Sequence, residues 1–363
     1  MKKSKFAKAF GLLSVAAIVF GLTAGQDAAA QDIRFDGVTL TVATFPGAWR
    51  EGIIKVTAGK FEKLGGKVAW TPGSTTEFMQ QAITARGGYV FDIMEVTDDL
   101  WPKWRDGKFV QKWDHSKIPN VSQLDKKMYD DFRVAHWIVL QSIVYNVDKF
   151  KENGIPAPTS YGDLLHPKLK KRVVTRDFTN FTGIYPVVGL AREFGGSEEN
   201  ITPGIEKLKE LDVHSFLGLS SQGPQLMEQG DAWAALMHAG WGVRMINAGQ
   251  PVGVVHPKIG DKTGMPTLGY IALSKSSKNI DAAHWFMNEL ISEDQQEEWC
   301  NSSGIVPVNN NTLKKVSGSP LLDTVGNPAL ILDPAELANG YFVDYSHYDA
   351  KKWNEEFNRI FFK

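Results

Sequence analysis

Polar and aromatic side chains follow most of the predicted strands of this chain, at the point where each strand ends. In an open α/β sheet, small molecules bind beyond the carboxyl ends of the strands. Hydroxyls, carboxylates, an imidazole and indole faces together can hydrogen-bond to a small polar molecule and cover it. The candidate binding residues are Thr44, Pro46, Trp49, Ser74, Thr75, Thr97, Asp98, Asp99, Asp177, Thr179, Asn180, His238, Trp241 and Tyr270.

Several of these residues have two readings. Trp49 and Trp241 each follow a strand and a glycine, where the indole either covers a ligand or fills a core. Ser74 and Thr75 open a helix, whose free N–H groups suit a carboxylate or phosphate, although simple capping explains them equally well. Asp177 either holds an amine or caps a helix.

The sequence carries no motif for catalysis, a metal or a cofactor, so none of these is predicted. The segment 218–222 lacks the second glycine of a nucleophile elbow, and neither His-Glu-x-x-His nor a phosphate-binding loop occurs. The eight histidines are scattered, without a pair at metal-binding spacing. Carboxylates are plentiful, however, so an exported hydrolase with a carboxylate pair stays an alternative.

The composition limits the number of domains and the kinds of partner that this chain can have. The 363 residues suffice for two domains, and 40 basic against 41 acidic residues give a net charge of −1 without long runs of either sign. Nucleic acid is therefore not expected as a partner, because its binding needs clustered cations. Cys300 is the single cysteine, which excludes an intrachain disulfide.

The first thirty residues predict export. Residues 1–10 contain four lysines and no acid, residues 11–25 are uncharged and mostly apolar, and residues 28–30 are all alanine. This is the pattern of a secretory signal peptide, which we assign to residues 1–30 with cleavage near Ala30. The rest of the chain is expected to work outside the cytoplasm.

Two α/β units follow along the chain. The first reads as strand 38–44, helix 51–64, strand 67–70, a capping box at 74–77 and strand 91–96, which is a βαβαβ order typical of a parallel sheet. The second contains strands 171–175, 231–237 and 252–256 and helix 181–194. Extended segments near 138–145 and 268–273 join the units. We predict one lobe from 31–143 and 269–363, another from 144–268, and a cleft between them.

The C-terminal part of the chain carries further local signals. Ser292 is predicted to cap one helix and Asp333 to begin another. Trp353, Phe357 and residues 360–362 indicate that the C-terminal tail packs against the rest of the protein.

The order of these segments resembles the type II periplasmic solute-binding proteins of ABC importers, in the branch of the polyamine-binding proteins. The resemblance runs over residues 40–49, 91–97, 144–150, 230–240 and 271–279. It implies an α/β fold of two lobes, each a mostly parallel sheet flanked by helices, that close on a ligand at a hinge. It also implies a periplasmic monomer that delivers a small solute to a membrane permease.

The chain differs from that branch at the residues with which polyamine-binding proteins bind an ammonium group. Their Trp-x-Asp before the returning strand is replaced by residues 267–269, Thr-Leu-Gly. His238 stands where an aromatic is expected, and the second of two acids falls at Asn180. A dication needs paired carboxylates. The sequence thus favours a small polar nitrogen-containing solute, such as an opine, an amino acid derivative or an aminophosphonate, with putrescine or spermidine as the alternative.

Overall fold

The computed structural model describes residues 33–178, 180–317 and 328–362, and the residues from Arg34 onward form one compact unit. The predicted leader and the candidate residue Thr179 lie outside the described residues. No helix in the described part of the chain combines the length and the apolar composition that a bilayer crossing requires.

One large mixed sheet runs through the molecule. Its strands lie in the order β2-β1-β3-β12-β5-β8-β6-β7, with β4 beside β12 and β9 beside β5, while β10 and β11 form a separate hairpin. The bounds are β1 Thr39–Thr44, β2 Lys67–Pro72, β3 Ile93–Val96, β4 Val110–Gln111, β5 Arg133–Asn146, β6 Val173–Arg176, β7 Ser215–Leu217, β8 Ala234–His238, β9 Val252–Val255, β10 Lys258–Ile259, β11 Lys262–Thr263 and β12 Met265–Ser274.

The two ends of this sheet are parallel and its centre is antiparallel. Strands β2, β1 and β3 run parallel, as do β7, β6 and β8. Between them lie β12 and β5, strands of 10 and 14 residues that pair antiparallel. The predicted α/β class with two parallel sheet regions is confirmed, and β5 and β12 are the extended segments expected to join them.

Helices cover the sheet. Their bounds are α1 Ala48–Ile53, α2 Gly59–Lys63, α3 Thr75–Thr84, α4 Trp101–Asp106, α5 Val147–Glu152, α6 Ile184–Glu193, α7 Thr202–Leu211, α8 Gln222–Glu228, α9 Ala239–Asn247, α10 Ile280–Leu290, α11 Glu293–Ser303, α12 Asn310–Val316, α13 Pro334–Ala338 and α14 Ala350–Phe361. A π-helical segment, Ile54–Ala58, joins α1 to α2. The predicted capping box is present, because Ser74 accepts from the Glu77 N–H and Glu77 accepts from the Ser74 N–H.

Two hydrophobic clusters stabilise the fold. The first includes Trp104 and Phe286, and the second includes Tyr185 and Leu208. Helix α14 contributes to the second cluster, although the sequence assigned residues 269–363 to the first lobe. The lobe boundaries therefore stay a prediction, while the docking of the C-terminal segment is confirmed.

A glycine shapes the centre of the sheet. A Cβ on Gly269 would lie 1.7 Å from the Trp137 ring, so only glycine lets that indole lie flat on the neighbouring strand. The pairing of β12 with β5 shifts by one residue between Gly269 and Tyr270. The extra residue lies on β5, because Gly269 pairs with Trp137 and Tyr270 with Ala135, so the bulge is at His136.

Candidate functional site

A cavity of about 490 Å³ opens beside β12. Apolar side chains such as Leu313 and Leu337 form part of its wall, and Asp125 and Lys127 add one charge of each sign. Further polar side chains of the lining are Asp98, Tyr185, Thr267, Tyr270 and Tyr345. This size and this mixture of apolar walls with a few polar groups are typical of a small-molecule site.

The first carboxylate of the site is held by an arginine. Asp98 Oδ1 lies 2.6 Å from Arg133 Nη1, and Arg133 Nε donates to Asp130 at 3.0 Å. The guanidinium lies over the rings of Trp101, at 4.6 Å, and Tyr270, at 4.1 Å. Burial raises the pKa of Asp98 despite the adjacent Arg133. The charge of Asp98 is thus already matched within the protein.

The second carboxylate has no such partner. Asp99 Oδ1 is shielded from solvent and accepts no hydrogen bond from any residue that the structure describes. Burial raises the pKa of Asp99, and hydrogen bonds from backbone N–H groups, its own and that of Leu100, offset this only in part. A buried carboxylate without a cationic partner is unfavourable. The environment of Asp99 therefore favours either its protonation or the binding of a cation beside it.

Four tyrosines surround these acids. The hydroxyls of Tyr185 and Tyr345 lie 2.6 Å apart, and the charges of Asp98 and Asp99 both raise the pKa of each ring hydroxyl, although burial is the larger cause. Tyr348 also lies within the field of Asp99, and Tyr270 within that of Asp98. Neutral hydroxyls and ring faces beside a carboxylate suit an alkylammonium group.

The C-terminal segment reaches the cavity because Glu198 anchors it. This buried carboxylate accepts from Tyr341 Oη at 2.6 Å and from the Asp344 N–H at 3.2 Å, and it pairs with Arg192. The anchor lies just before the 3₁₀ turn that contains Tyr345. The segment 341–348 is thereby fixed beside Tyr185.

A buried glutamate organises an aromatic wall. Glu95 accepts from Thr44 Oγ1 at 2.8 Å, from Trp49 Nε1 at 3.3 Å and from Trp137 Nε1 at 3.1 Å, and it lies 2.8 Å from His136 Nε2. Trp49 and Trp137 meet edge to face with ring centres 5.2 Å apart. Trp49 is only half buried, so its ring keeps an accessible part.

A basic cluster lies at the carboxyl ends of β6 and β8. It consists of Arg176, His238, Trp241 and Arg244, and the Arg244 guanidinium lies 4.0 Å above the Trp241 ring. Burial lowers the pKa of Arg176 and lowers that of Arg244 to about 10. Burial, Arg244 and Arg176 together lower the pKa of His238 to about 3, so this imidazole is neutral at physiological pH.

The structure brings many of the predicted site residues together. Asp98, Asp99, Thr97 and Tyr270 meet at the end of β3, where Thr97 Oγ1 donates to Thr75 Oγ1 at 3.3 Å. Thr44 and Trp49 share Glu95, and His238 and Trp241 share the basic cluster. Their role in binding stays a prediction.

Other predicted residues have local roles. Ser74 is engaged in its capping box, and Asn180 Oδ1 accepts from the Thr182 N–H at 3.0 Å as the cap of a 3₁₀ turn. Pro46 is exposed in the turn after β1. Asp177 follows β6, with its N–H donating to the carbonyl of Leu217 at 3.1 Å.

Sequence reasoning missed several residues of the site. Arg176 stands directly before Asp177 at a strand end, so the rule that selected Asp177 could have found it. Glu95, Arg133 and Tyr185 lie within elements, where only the tertiary structure reveals which way a side chain points. Tyr345 belongs to residues 269–363, which the sequence assigned to the first lobe, although its hydroxyl contacts Tyr185 of the predicted second lobe. A metal site is not formed by any cluster of His, Cys, Asp and Glu in the described ranges.

Comparison with known proteins agrees with this architecture. Residues 60–322 match the family model for bacterial extracellular solute-binding proteins. The chain is similar to the spermidine/putrescine-binding periplasmic protein of Salmonella typhimurium, with 24% identity over 281 residues, 74% of this chain and 78% of the relative.

Two solved structures share the fold. One is an ABC transporter protein from Clostridium perfringens, with a TM-score of 0.67 and 22% identity over 89% of this chain and 99% of that one. The other is MotA of A. tumefaciens B6 in complex with glucopine, with a TM-score of 0.70 and 20% identity over 89% of this chain and all of that one. The matched family is one of solute-binding proteins and not of enzymes. The chain belongs to the family of bacterial extracellular solute-binding proteins.

Proposed function

We propose that this protein captures a small solute bearing one protonated amine and delivers it to the permease of an ABC importer. The observation that carries the proposal is the pair of carboxylates after β3, of which Asp98 is matched by Arg133 and Asp99 lacks a cationic partner in the described chain. An ammonium group supplies the missing charge, and the surrounding tyrosines supply hydroxyls and ring faces. The solute class is that of opines, amino acid derivatives and aminophosphonates.

A polyamine is the alternative ligand. The names of relatives such as the Salmonella protein favour it, and two carboxylates, Asp98 and Asp125, line the cavity. Against it, Arg133 already pairs with Asp98 and Lys127 adds a positive charge to the lining, which leaves little net negative charge in the cavity for two or more ammonium groups. A second ammonium without a carboxylate would be left poorly compensated.

The route of action is part of the proposal. The leader of residues 1–30 is removed near Ala30, and the protein acts in the periplasm as a monomer. A ligand that contacts both ends of the sheet favours a closed arrangement of the two lobes about β5 and β12. The permease then recognises this closed form.

The test is a thermal-shift screen against polyamines, amino acids, opines, aminophosphonates and sugars, followed by calorimetry on each hit. A ligand that binds only the native state stabilises it by about 2.7 kcal/mol at a hundredfold excess over its Kd. We expect the hits to share a protonated amine. Asp99→Asn should weaken them by about 10- to 100-fold, because a charge-assisted hydrogen bond contributes roughly 1.5–3 kcal/mol.

The matched control is Asp106→Asn, which changes an exposed carboxylate of α4. It should bind every hit as the unaltered protein does. A tight ligand without an amine, or equal affinity in Asp99→Asn, would contradict the amine site. A preference for putrescine over every monoamine would favour the polyamine alternative.

A further inference from the structure

The basic cluster after β6 and β8 contains an unusual number of unsatisfied nitrogens. Arg176 Nε, His238 Nδ1 and Trp241 Nε1 are all shielded from solvent, and none has a hydrogen-bond partner in the described chain. Arg176 as a whole is only 8% exposed. The Arg176 and Trp241 nitrogens are donors, whereas His238 Nδ1 donates in only one tautomer. Buried donors without acceptors are unfavourable, and two of them in one cluster indicate an acceptor outside the described chain.

The cluster also lacks a balancing acid. Arg176 Nη1 donates to the carbonyl of Gly218 at 2.6 Å, and Arg244 Nε donates to the carbonyl of Gly240 at 3.0 Å. Neither guanidinium lies within ion-pair distance of a carboxylate anywhere in the described ranges. Asp177 influences Arg176 from nearby, but Arg244 has no such neighbour. Two guanidiniums with one nearby acid leave an excess of positive charge.

His238 of this cluster lies on the same face of the sheet as Thr267, which lines the cavity beside β12. Thr267, which lines the cavity, accepts from Gln141 Nε2 at 3.3 Å, and Gln141 is the register partner of His238. Since β12, β5 and β8 are consecutive, and the partners of Thr267 and His238 on β5 are two residues apart, the backbones at Thr267 and His238 lie about 12 Å apart. A solute that binds at both places must therefore bridge the gap between β12 and β8.

We propose that Arg176, His238, Trp241 and Arg244 form a subsite for a compact oxyanion, a carboxylate or a phosphonate, on the same solute whose amine binds near Asp99. This inference rests on the proposed function and deepens it, because it makes the ligand an amine with an acid at its other end. Guanidinium groups bind such oxyanions by paired, charge-assisted hydrogen bonds. The Trp241 indole adds a neutral donor, and the neutral His238 contributes one ring N–H.

The subsite also predicts selectivity against polyamines. A diamine would place its second ammonium beside two guanidiniums, where like charges repel at short range. An amino acid derivative or aminophosphonate of the same length places a negative charge there instead. Discrimination thus comes from a repulsive element as well as from an attractive one.

The first experiment observes the subsite without any amine. Methylphosphonate and acetate are titrated separately into the ¹⁵N-labelled protein, and the indole and arginine Nε–H signals are followed by NMR. Trp241→Phe assigns the Trp241 signal while keeping an aromatic ring. We expect a saturable shift of that signal with at least one of the two anions, and the stronger one identifies the group. Saturation in Arg244→Gln should need at least tenfold more anion.

The second experiment measures how much the anion adds to affinity. Calorimetry compares 4-aminobutanoate, 3-aminopropylphosphonate, butylamine and putrescine, which differ mainly in their end groups. We expect at least one of the two acids to bind tenfold or more tightly than both amines. Arg176→Gln and Arg244→Gln should remove this advantage. The control Arg172→Gln, which alters an arginine stacked on Trp233 before the start of β6, should keep it.

The outcomes separate the two proposals. The oxyanion subsite is overturned if the acids bind no more tightly than the amines, or if their higher affinity persists in Arg176→Gln and Arg244→Gln. Either result leaves the proposed amine site unaffected. No shift at Trp241 with either anion overturns the subsite as well. A saturable shift without binding of any amine supports the subsite and contradicts the proposed function.

Discussion

At the scale of single residues, Asp99 should limit the stability of the ligand-free protein. Burial raises its folded-state pKa above the ordinary value, so the folded state binds more protons than the unfolded state between those two values. The free energy of unfolding contributed by this group therefore increases as the pH falls through the folded pKa and decreases as the pH rises. Asp99→Asn should increase the free energy of unfolding of the ligand-free protein at pH 7 by roughly 1–3 kcal/mol, and its Tm should rise accordingly.

Differential scanning fluorimetry at pH 7 and pH 5 checks this prediction. The gain in Tm from Asp99→Asn should shrink at pH 5, because the carboxyl of the unaltered protein then carries a proton more often. Asp106→Asn serves as the control and should leave the Tm unchanged at both values. A Tm that falls in Asp99→Asn at pH 7 would mean that the charge of Asp99 is compensated in the free protein.

Glu95 should act as a positioning residue for the aromatic wall. Glu95→Gln keeps the size of the side chain but replaces one acceptor oxygen with an NH2 donor. Trp49 donates to Oε1 and Trp137 to Oε2, so the amide can accept from only one of the two indoles. We expect a loss of about 1–3 kcal/mol in denaturant unfolding and a change in tryptophan fluorescence.

The control Glu62→Gln, on the exposed face of α2, should change neither quantity. If Glu95→Gln were as stable as the unaltered protein with the same emission, the wall would hold its geometry by packing alone. Glu95 could not be assigned from sequence, because a glutamate inside an apolar strand gives no sign of which partners it meets.

At the scale of elements, the helix start at Ser74 should matter for stability and not for binding. The serine side chain and Glu77 already satisfy each other's backbone N–H groups. Ser74→Ala should therefore lower the free energy of unfolding by about 1 kcal/mol and leave the Kd of any ligand unchanged. A large loss of affinity would restore the reading of this helix start as an anion site.

The elements that were predicted well are those with strong local signals. The βαβαβ order, the caps at Ser74 and Ser292, and the helix start at Asp333 all agree with the structure. Strand β5 was placed too late, at residue 138, because the preceding stretch contains Arg133 and His136. These polar residues fit a buried strand only because Asp98 and Glu95 pair with them, which no local pattern reveals.

At the scale of the whole molecule, the C-terminal helix should stabilise the second hydrophobic cluster. Phe357 is 8% exposed and stacks on Phe178 with ring centres 4.7 Å apart, whereas Phe362 is 79% exposed. Phe357→Ala should lower the free energy of unfolding by about 3–5 kcal/mol, while Phe362→Ala should leave it within experimental error.

Guanidinium denaturation of both variants checks this difference. Because Tyr345 of the preceding segment lines the cavity and Tyr348 packs against α14, Phe357→Ala should also weaken amine binding under conditions where it remains folded. Equal stability of the two variants would mean that α14 contributes little to the core. The sequence predicted that this tail docks, but its docking partner depends on long-range packing that local patterns do not encode.

The most direct test of the whole account is the solute that the protein carries. The protein would be isolated under native conditions from the periplasm of cells grown with mixed nitrogen sources, and the released solute identified by mass spectrometry. The account predicts about one equivalent of a small molecule with a protonated amine and a carboxylate or phosphonate. A neutral sugar, or a polyamine without an acidic group, would contradict it.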